Sequence, residues 1–302
     1  MSDTDWIAVD WGTSALRVWV IGADGSVLDR LRSDRGMATL APPAFEGALL
    51  DLIDAHLPQA RVTPVICCGM VGARQGWVEA PYIAVPAAPP VFAQAVRPEV
   101  RDPRMAVHVL PGMRQDKPAD VMRGEETQIA GFLTAHGDFD GVLCLPGTHS
   151  KWARISAGEV VSFRTVMTGE FFALLSGQSV LRHGLDGAGW DDAAFAEAVD
   201  DAMTAPAQLT ARLFSLRAEG LLHGLDAAIA RARLSGWLIG LELAGTRPYW
   251  LGQNVALIGD GALTDRYAQA LRVVGALPAV TDATRVTLAG LTAARMQMKG
   301  TT

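Results

Sequence analysis

The chain has 302 residues, half of them hydrophobic and 19% charged, which argues against disorder and leaves room for a sizeable core and two domains. A formal net charge of −6, a sequence pI near 5.5 and no stretch that concentrates Lys and Arg argue against a nucleic-acid partner. Three cysteines without CxxC spacing, an acidic start unlike a signal peptide, and apolar runs well short of the roughly 20 residues of a membrane span predict a reduced, cytoplasmic protein with no membrane segment.

In chain order, "WIAVDWG", "SALRVWVIG" and "SVLDRLRS" read as three strands joined by tight turns, so an antiparallel meander opens the chain. A helix is predicted over 43–56, then a β-rich "TPVICCGMVG", then a Pro-dense stretch from 81 to 118 that reads as connecting loops. A helix opens at Glu125. The segment "GVLCLPGTHSKWARISAGEVVSFRTVMTG" then repeats the opening design of strand, small-residue turn and two further strands. Helices fill most of 171–245, "NVALIGDG" is a strand, and "LTDRYAQALRVVG" and "DATRVTLAGLTAARMQM" are late helices. The expected division is into domains 1–120 and 121–302, with the last helix packing back across the junction.

The repeated device points to chemistry. Turns rich in Gly, Thr and Ser leave backbone N–H groups unpaired with no Cβ in the way, which suits an extended phosphate chain. Asp10, closing the first strand beside such a turn, would be repelled by phosphate unless a cation lay between, and Mg²⁺ commonly meets a nucleotide site through one or two carboxylates and water. An Asp capping an ordinary β-turn is the plainer alternative for one copy of the motif. Two copies, each in a strand-turn-strand setting, favour phosphate binding. No GxxxxGK[ST] occurs, and "GDGALT" lacks the GxGxxG spacing, so neither a P-loop nor a dinucleotide site is indicated.

"DWGTSALR", "LPGTHSK" and "LIGDGALTDRYAQAL" resemble, in order, the first phosphate loop, second phosphate loop and adenosine motif of the actin, hexokinase and Hsp70 superfamily. More narrowly, "VDWGTSALRVW", "CGMVGARQGW", "MRGEETQIAGF", "LPGTHSKWA", "FRTVMTGEFFALLS" and "LAGL" together resemble the 2-dehydro-3-deoxygalactonokinases. The resemblance implies an α/β protein of two ribonuclease-H-like, actin-like ATPase domains with an interdomain cleft for ATP and Mg²⁺. It implies phosphorylation of 2-dehydro-3-deoxy-D-galactonate to its 6-phosphate in galactonate catabolism. The chain departs from the superfamily pattern at Leu145, where a second Asp is common, and at Asp260, where glycine is usual.

On this resemblance Gly12, Thr13 and Ser14 hold the terminal phosphates from one side and Gly147, Thr148 and Ser150 from the other, while Gly259, Gly261 and Ala262 meet the adenosine. Asp10 is the metal carboxylate, and Arg17 neutralises the transferred phosphate. Gly124-Glu125 matches a Gly-Asp pair that supplies the catalytic carboxylate in carbohydrate kinases, which makes Glu125 the first candidate base and Glu126 the second; both also suit the first turn of a helix for purely dipolar reasons. The acceptor's carboxylate calls for cationic partners. Arg35, Arg74, Arg123, His149 and Lys151 all lie beside the motifs, and the sequence does not choose among them. Trp11, Trp77 and Trp152 either line the cleft or pack the hairpins. The partners implied are ATP and a small sugar acid; a homodimer is compatible with this. Two alternatives stand beside this reading: a kinase of the same fold for another sugar or sugar acid, and an ATP-driven conformational protein that phosphorylates no acceptor.

Overall fold

The computed structural model describes residues 4–89 and 92–300. Its contacts divide the chain into two units, the first taking residues up to Phe139, Ser156–Ser162 and the segment from Ala283 onward, the second Asp140–Ile155 and Phe163–Asp282.

The first unit is built on β1 (Thr4–Trp11), β2 (Leu16–Gly22), β3 (Val27–Ser33), β4 (Thr63–Gly69), β5 (Tyr82–Ala84), β6 (Met105–Val109), β7 (Gly112–Asp116) and β8 (Ala119–Met122). Its main sheet runs β3-β2-β1-β4-β6. The first three strands form the expected meander, and β4 and β6 add in parallel. The central strand β1 is apolar on both faces. Ile7, Val9 and Trp11 pack with Phe45, Leu49 and Ile53 of α1 (Phe45–Ile53), whereas Trp6 and Ala8 share a cluster with Leu291 and Ala294 of the last helix, Ala283–Gly300. Each such side chain taken fully from water contributes roughly 1.5–3 kcal/mol, which fixes the strand's place and leaves Asp10 at its open end.

The Pro-dense stretch from 81 to 118 is not the run of connecting loops expected: it carries β5, β6 and β7, and β5-β7-β8 form a separate small sheet. Strands of three to five residues show too little alternation to stand out among prolines. Residues 90 and 91 of that stretch lie outside those described.

Helix α2 (Glu125–Ala135) closes the first unit, and it packs against the last helix through glycines: a Cβ on Gly131 would fall 1.8 Å from Val286 O, and one on Gly290 would fall 2.0 Å from Thr127 O. This pairing sets the division after Phe139 rather than at 120, and it draws the last helix into the first unit.

A second sheet, all in the second unit but for Ser156 and Glu159–Ser162, repeats the topology. Strands β9 (Gly141–Leu145), β10 (Ser150–Ser156), β11 (Glu159–Val166), β12 (Val255–Ile258) and β13 (Ala279–Thr281) run in the order β11-β10-β9-β12-β13, the same order as the first sheet. The second unit's helices are α3 (Thr168–Gly177), α4 (Asp192–Thr204), α5 (Leu209–His223), α6 (Ala227–Gly245), the short α7 (Arg247–Trp250) and α8 (Gly261–Val273); the last helix of the chain is α9. Phe195, Val199, Ile239, Leu257 and Leu271 join the sheet to α4, α6 and α8 in one core. Among the described residues no helix is long and apolar enough to cross a membrane.

Candidate active site

Where β1 ends, Asp10 is partly buried and Arg17, its antiparallel partner on β2, donates to Asp10 Oδ2 through Nε at 3.0 Å and again through a terminal nitrogen. The other carboxylate oxygen, Oδ1, has the Cys68 thiol 3.9 Å away. The intervening loop is tied down by its carbonyls: Gly12 O accepts Met37 N–H and Thr13 O accepts Ala38 N–H, both at 3.0 Å. Gly36 makes this possible, since a Cβ there would fall 2.3 Å from Thr13 O. Gly12 N–H is spent on Ala15 O. The amides of the exposed Thr13 and Ser14 take no partner among the described residues, which is the arrangement an anion needs.

Beside Asp10, Gly69 closes β4 at φ +91°, and a Cβ on it would lie 2.7 Å from Trp11 O and 3.3 Å from Asp10 Oδ1. Gly124, at φ +107°, comes equally close to Gly69 and starts α2 there. The two carboxylates that follow therefore open α2 near Asp10, but in different surroundings. Glu126 is buried, both its oxygens accept Gly124 N–H at 2.8 Å, and burial, followed by the charge of Glu125, pushes its carboxyl up to about 8. Glu125 is half-buried and accepts Arg123 N–H at 3.0 Å. The buried Cys68 thiol, 3.9 Å from Asp10 Oδ1, is pushed up by burial, then by the charges of Asp10 and Glu126.

In the second unit the loop after β9 is braced by the start of α3. Glu170 N–H bonds Thr148 O at 3.0 Å, and a Cβ on Gly169 would fall 2.3 Å from Gly147 O. Gly147 is half-buried and Thr148 exposed. Ser150 does not serve as the expected phosphate contact through its side chain: it is buried, with its hydroxyl 2.7 Å from Tyr267 Oη. It belongs to a network around Glu242 on α6, whose carboxylate accepts Trp152 Nε1–H and Tyr267 Oη–H, each at 2.7 Å. Thr168 and Ser150 also hydrogen-bond Glu242, and burial raises its carboxyl. Trp152 is thus a core residue, as is Trp11; the half-buried Trp77 meets Trp11 edge-on and stacks on Phe45 at the margin of the same core.

A cavity of about 240 Å³ adjoins this loop, lined by Thr148, Thr168, Phe172, Ser235, Leu238 and Leu263 among others. Apolar walls with a few hydroxyls are the usual make-up of a small-molecule pocket. Gly259, Gly261 and Ala262 themselves are not in its wall; the next residue of α8, Leu263, is. A Cβ on Gly259 would fall 2.2 Å from Thr264 Oγ1, so this glycine serves the tight entry into α8. The wall residues of α3, Thr168, Gly169 and Phe172, fall within the motif "FRTVMTGEFFALLS", whereas those of α6 carry no motif and only their apolar helical setting marked them in the sequence.

The five cationic candidates separate. Arg35 holds its guanidinium on Asp51, and its carbonyl accepts Trp11 Nε1–H. Arg123 is buried over the Tyr82 ring, donates to Ala80 O at 2.8 Å, and leaves Nη1 buried without a partner among the described residues. His149 Nε2 is bonded to Glu170. Lys151 is buried and donates to His149 O. Arg74, at the tip of the loop after β4, is exposed and in no ion pair among the described residues.

Among the described residues Asp10 Oδ1 is an acceptor with no N–H donor upon it, which suits a water of a Mg²⁺ ion held mainly by nucleotide phosphates. No group of three or more His, Cys, Asp or Glu with metal-site geometry occurs among the described residues, and a cation of this kind requires none.

A profile of the family described as 2-keto-3-deoxy-galactonokinase matches residues 10–294. The chain is 43% identical over 296 residues to the "Probable 2-dehydro-3-deoxygalactonokinase DgoK1" of Rhizobium meliloti (strain 1021), covering 95% of each chain. It is 33% identical over 273 residues to the 2-dehydro-3-deoxygalactonokinase of Escherichia coli (strain K12), covering 89% of this chain and 90% of that one. A crystal structure from Sinorhizobium meliloti, provisionally described as a 2-dehydro-3-deoxygalactonokinase, superposes with a TM-score of 0.89 at 43% identity over 96% of this chain and 95% of that one. The activator of the 2-hydroxyisocaproyl-CoA dehydratase from Clostridium difficile, at 11% identity and a TM-score of 0.54 over 98% of this chain and 96% of that one, shares the fold. The duplicated sheets thus have the actin-like ATPase fold, and by its sequence over nearly its whole length the chain belongs to the 2-keto-3-deoxy-galactonokinase family.

Proposed function

We propose that the protein transfers the terminal phosphoryl group of ATP to the 6-hydroxyl of 2-dehydro-3-deoxy-D-galactonate, a step in galactonate catabolism. The observation that carries this reading is the end of β1, where unpaired loop amides, Asp10 with Arg17, and a carboxylate pair on α2 meet in one place. Phosphoryl transfer asks for those parts: donors for the phosphate oxygens, a cation site, and a base for the acceptor hydroxyl.

The amides of Thr13 and Ser14, with those of the Gly147-Thr148 loop, bind phosphate oxygens, and the apolar cavity beside Thr148 takes the adenosine. Mg²⁺, when bound, neutralises phosphate charge, with Asp10 Oδ1 accepting from its water. Glu125 accepts the proton of the acceptor hydroxyl: it is the more accessible of the pair, while Glu126 has both oxygens committed to Gly124 N–H. Arg17 turns from Asp10 toward transferred-phosphate charge. Arg74 takes the sugar acid's carboxylate, because the other four cations are already paired or buried.

ADP release with Mg-ATP tests this on the galacto acid, its gluconate epimer and a decarboxylated analogue. Turnover should need the carboxylate, prefer the galacto acid, and fall by roughly 10²-fold or more in Glu125→Gln. Arg74→Gln should raise KM for the sugar acid and leave KM for ATP unchanged. Acceptor-independent ADP release would instead support an ATP-driven conformational protein, and an active Glu125→Gln enzyme would move the base elsewhere.

A further inference from the structure

A second cavity in the second unit, of about 750 Å³, shares Phe172 and Arg266 with the smaller one and lies about two helical turns further along α3, where Ser176 replaces Thr168 in the wall, and one turn back along α6, where Arg231 replaces Ser235. Its wall is basic: Arg182, His183, Arg231 and Arg266 face it, with Asp186 as the one carboxylate. None of the three arginines is in an ion pair among the described residues, although the chain as a whole is acidic.

Each guanidinium is instead held in place by neutral partners. Arg231 donates to Leu185 O and Gly187 O, Arg182 donates to Gln178 O and Ser179 O at 3.2 Å, and Arg266 lies 3.8 Å over the Trp190 ring. Such contacts fix the forks and leave their charge uncompensated. Burial, then the charge of Arg231, makes Arg266 less basic, so the two cations feel each other across a half-buried space. Two like charges fixed together are stabilised by an anion between them, and planar forks suit oxygens of phosphate or carboxylate.

We infer that this cavity binds a small organic polyanion, with Arg231, Arg182 and Arg266 as its charge partners and Phe172 against its carbon skeleton. The shared Arg266 and Phe172 make occupancy of this cavity felt in the neighbouring one, which rests on the reading of that neighbour as the adenosine pocket. The site itself does not depend on it.

Calorimetric titration with pyrophosphate and, separately, with citrate distinguishes phosphate from polycarboxylate ligands. It is run on the full chain with and without saturating ADP. One of the two probes should bind saturably with ADP present, weaken as salt rises, and bind at least about tenfold more weakly to Arg231→Gln and to Arg182→Gln. Circular dichroism and a melting midpoint like wild type show that each variant is folded, and if one is not, the other decides. Binding that ADP abolishes, that both variants retain, or that neither probe shows would overturn the site. Failure of ADP itself to bind would count against the adenosine pocket alone, because the pyrophosphate and citrate arms without ADP still read Arg231 and Arg182.

Discussion

Glu126 shows how burial can divide labour between two adjacent, chemically identical side chains. Position 125 faces partly outward from the first turn of α2, and position 126 is buried, close enough to Cys68 to act on its thiol. An acid whose folded value of about 8 exceeds its ordinary value of 4.5 stays protonated in the fold while the unfolded chain ionises. Its contribution to stability is therefore complete below about pH 4.5 and is lost as pH rises through about 8. Urea unfolding across that window should show wild type losing on the order of a few kcal/mol that Glu126→Gln does not lose, since glutamine can still accept Gly124 N–H without carrying charge. Parallel pH profiles for the two proteins would show that Glu126 ionises freely in the fold. A protonated Glu126 near neutral pH also spares Glu125 a neighbouring negative charge, so the same burial that costs stability at high pH serves the proposed base.

At the scale of elements, glycines decide which helices can touch. Gly131 and Gly290 let α2 and α9 meet with backbone against backbone, and the atoms a new Cβ would strike are carbonyls and amides that cannot swing aside. Gly131→Ala should therefore lower the melting midpoint, at a cost of roughly 1–3 kcal/mol or more, and lower turnover with it because α2 carries Glu125. Gly47 is exposed in α1 with nothing within 4 Å of its would-be Cβ, so Gly47→Ala should raise the midpoint slightly. The same substitution with opposite signs separates packing from propensity, and equal effects would refute the seam. Features whose conformation depends on a short stretch were legible in the sequence. The hairpins of β1–β3 and β9–β11 were of this kind, as were the turns after β1 and β9 and the start of α2 at Glu125, since alternation and turn chemistry are local. Long-range partners were not. Glu242 stands out as a carboxylate in the apolar run "LSGWLIGLELAG", yet its partners Ser150, Trp152, Thr168 and Tyr267 come from three other elements. Ser150 therefore looked like a loop hydroxyl, though it faces the core. Likewise the α2–α9 seam joins segments far apart in the chain, which is why the division after Phe139 could not be placed from composition.

In the molecule as a whole, one topology has been used twice with different chemistry. Arg17 faces Asp10 across β2 and β1, whereas the corresponding pair in the second sheet is Lys151 and Leu145. The first unit keeps the carboxylates, and the second, without an acid at that position, holds both cavities. The chain's end completes its beginning. Leu291 and Ala294 of α9 cover Trp6, Ala8, Trp19, Ile21 and Ile66 on the main sheet, and Arg295 and Lys299 bond Asp5 on β1 at 3.4 and 3.1 Å. Uncovering that face would return several large apolar side chains to water at roughly 1.5–3 kcal/mol each, comparable with the 5–15 kcal/mol that typically separates folded from unfolded protein. Of the two pairs with Asp5, the one to the exposed Lys299 adds at most about 1 kcal/mol, while Arg295 is buried with the apolar face and would be uncovered with it. A chain ending at Asp282 should thus fail to accumulate in soluble form, or should bind an apolar dye strongly and lose its cooperative melt, even though every candidate site residue from Asp10 to Arg266 is still present. Recovery of a soluble truncated protein that melts within a few degrees of the full chain would mean that α9 only decorates the sheet, and the account of why β1 is central would have to rest on α1 alone.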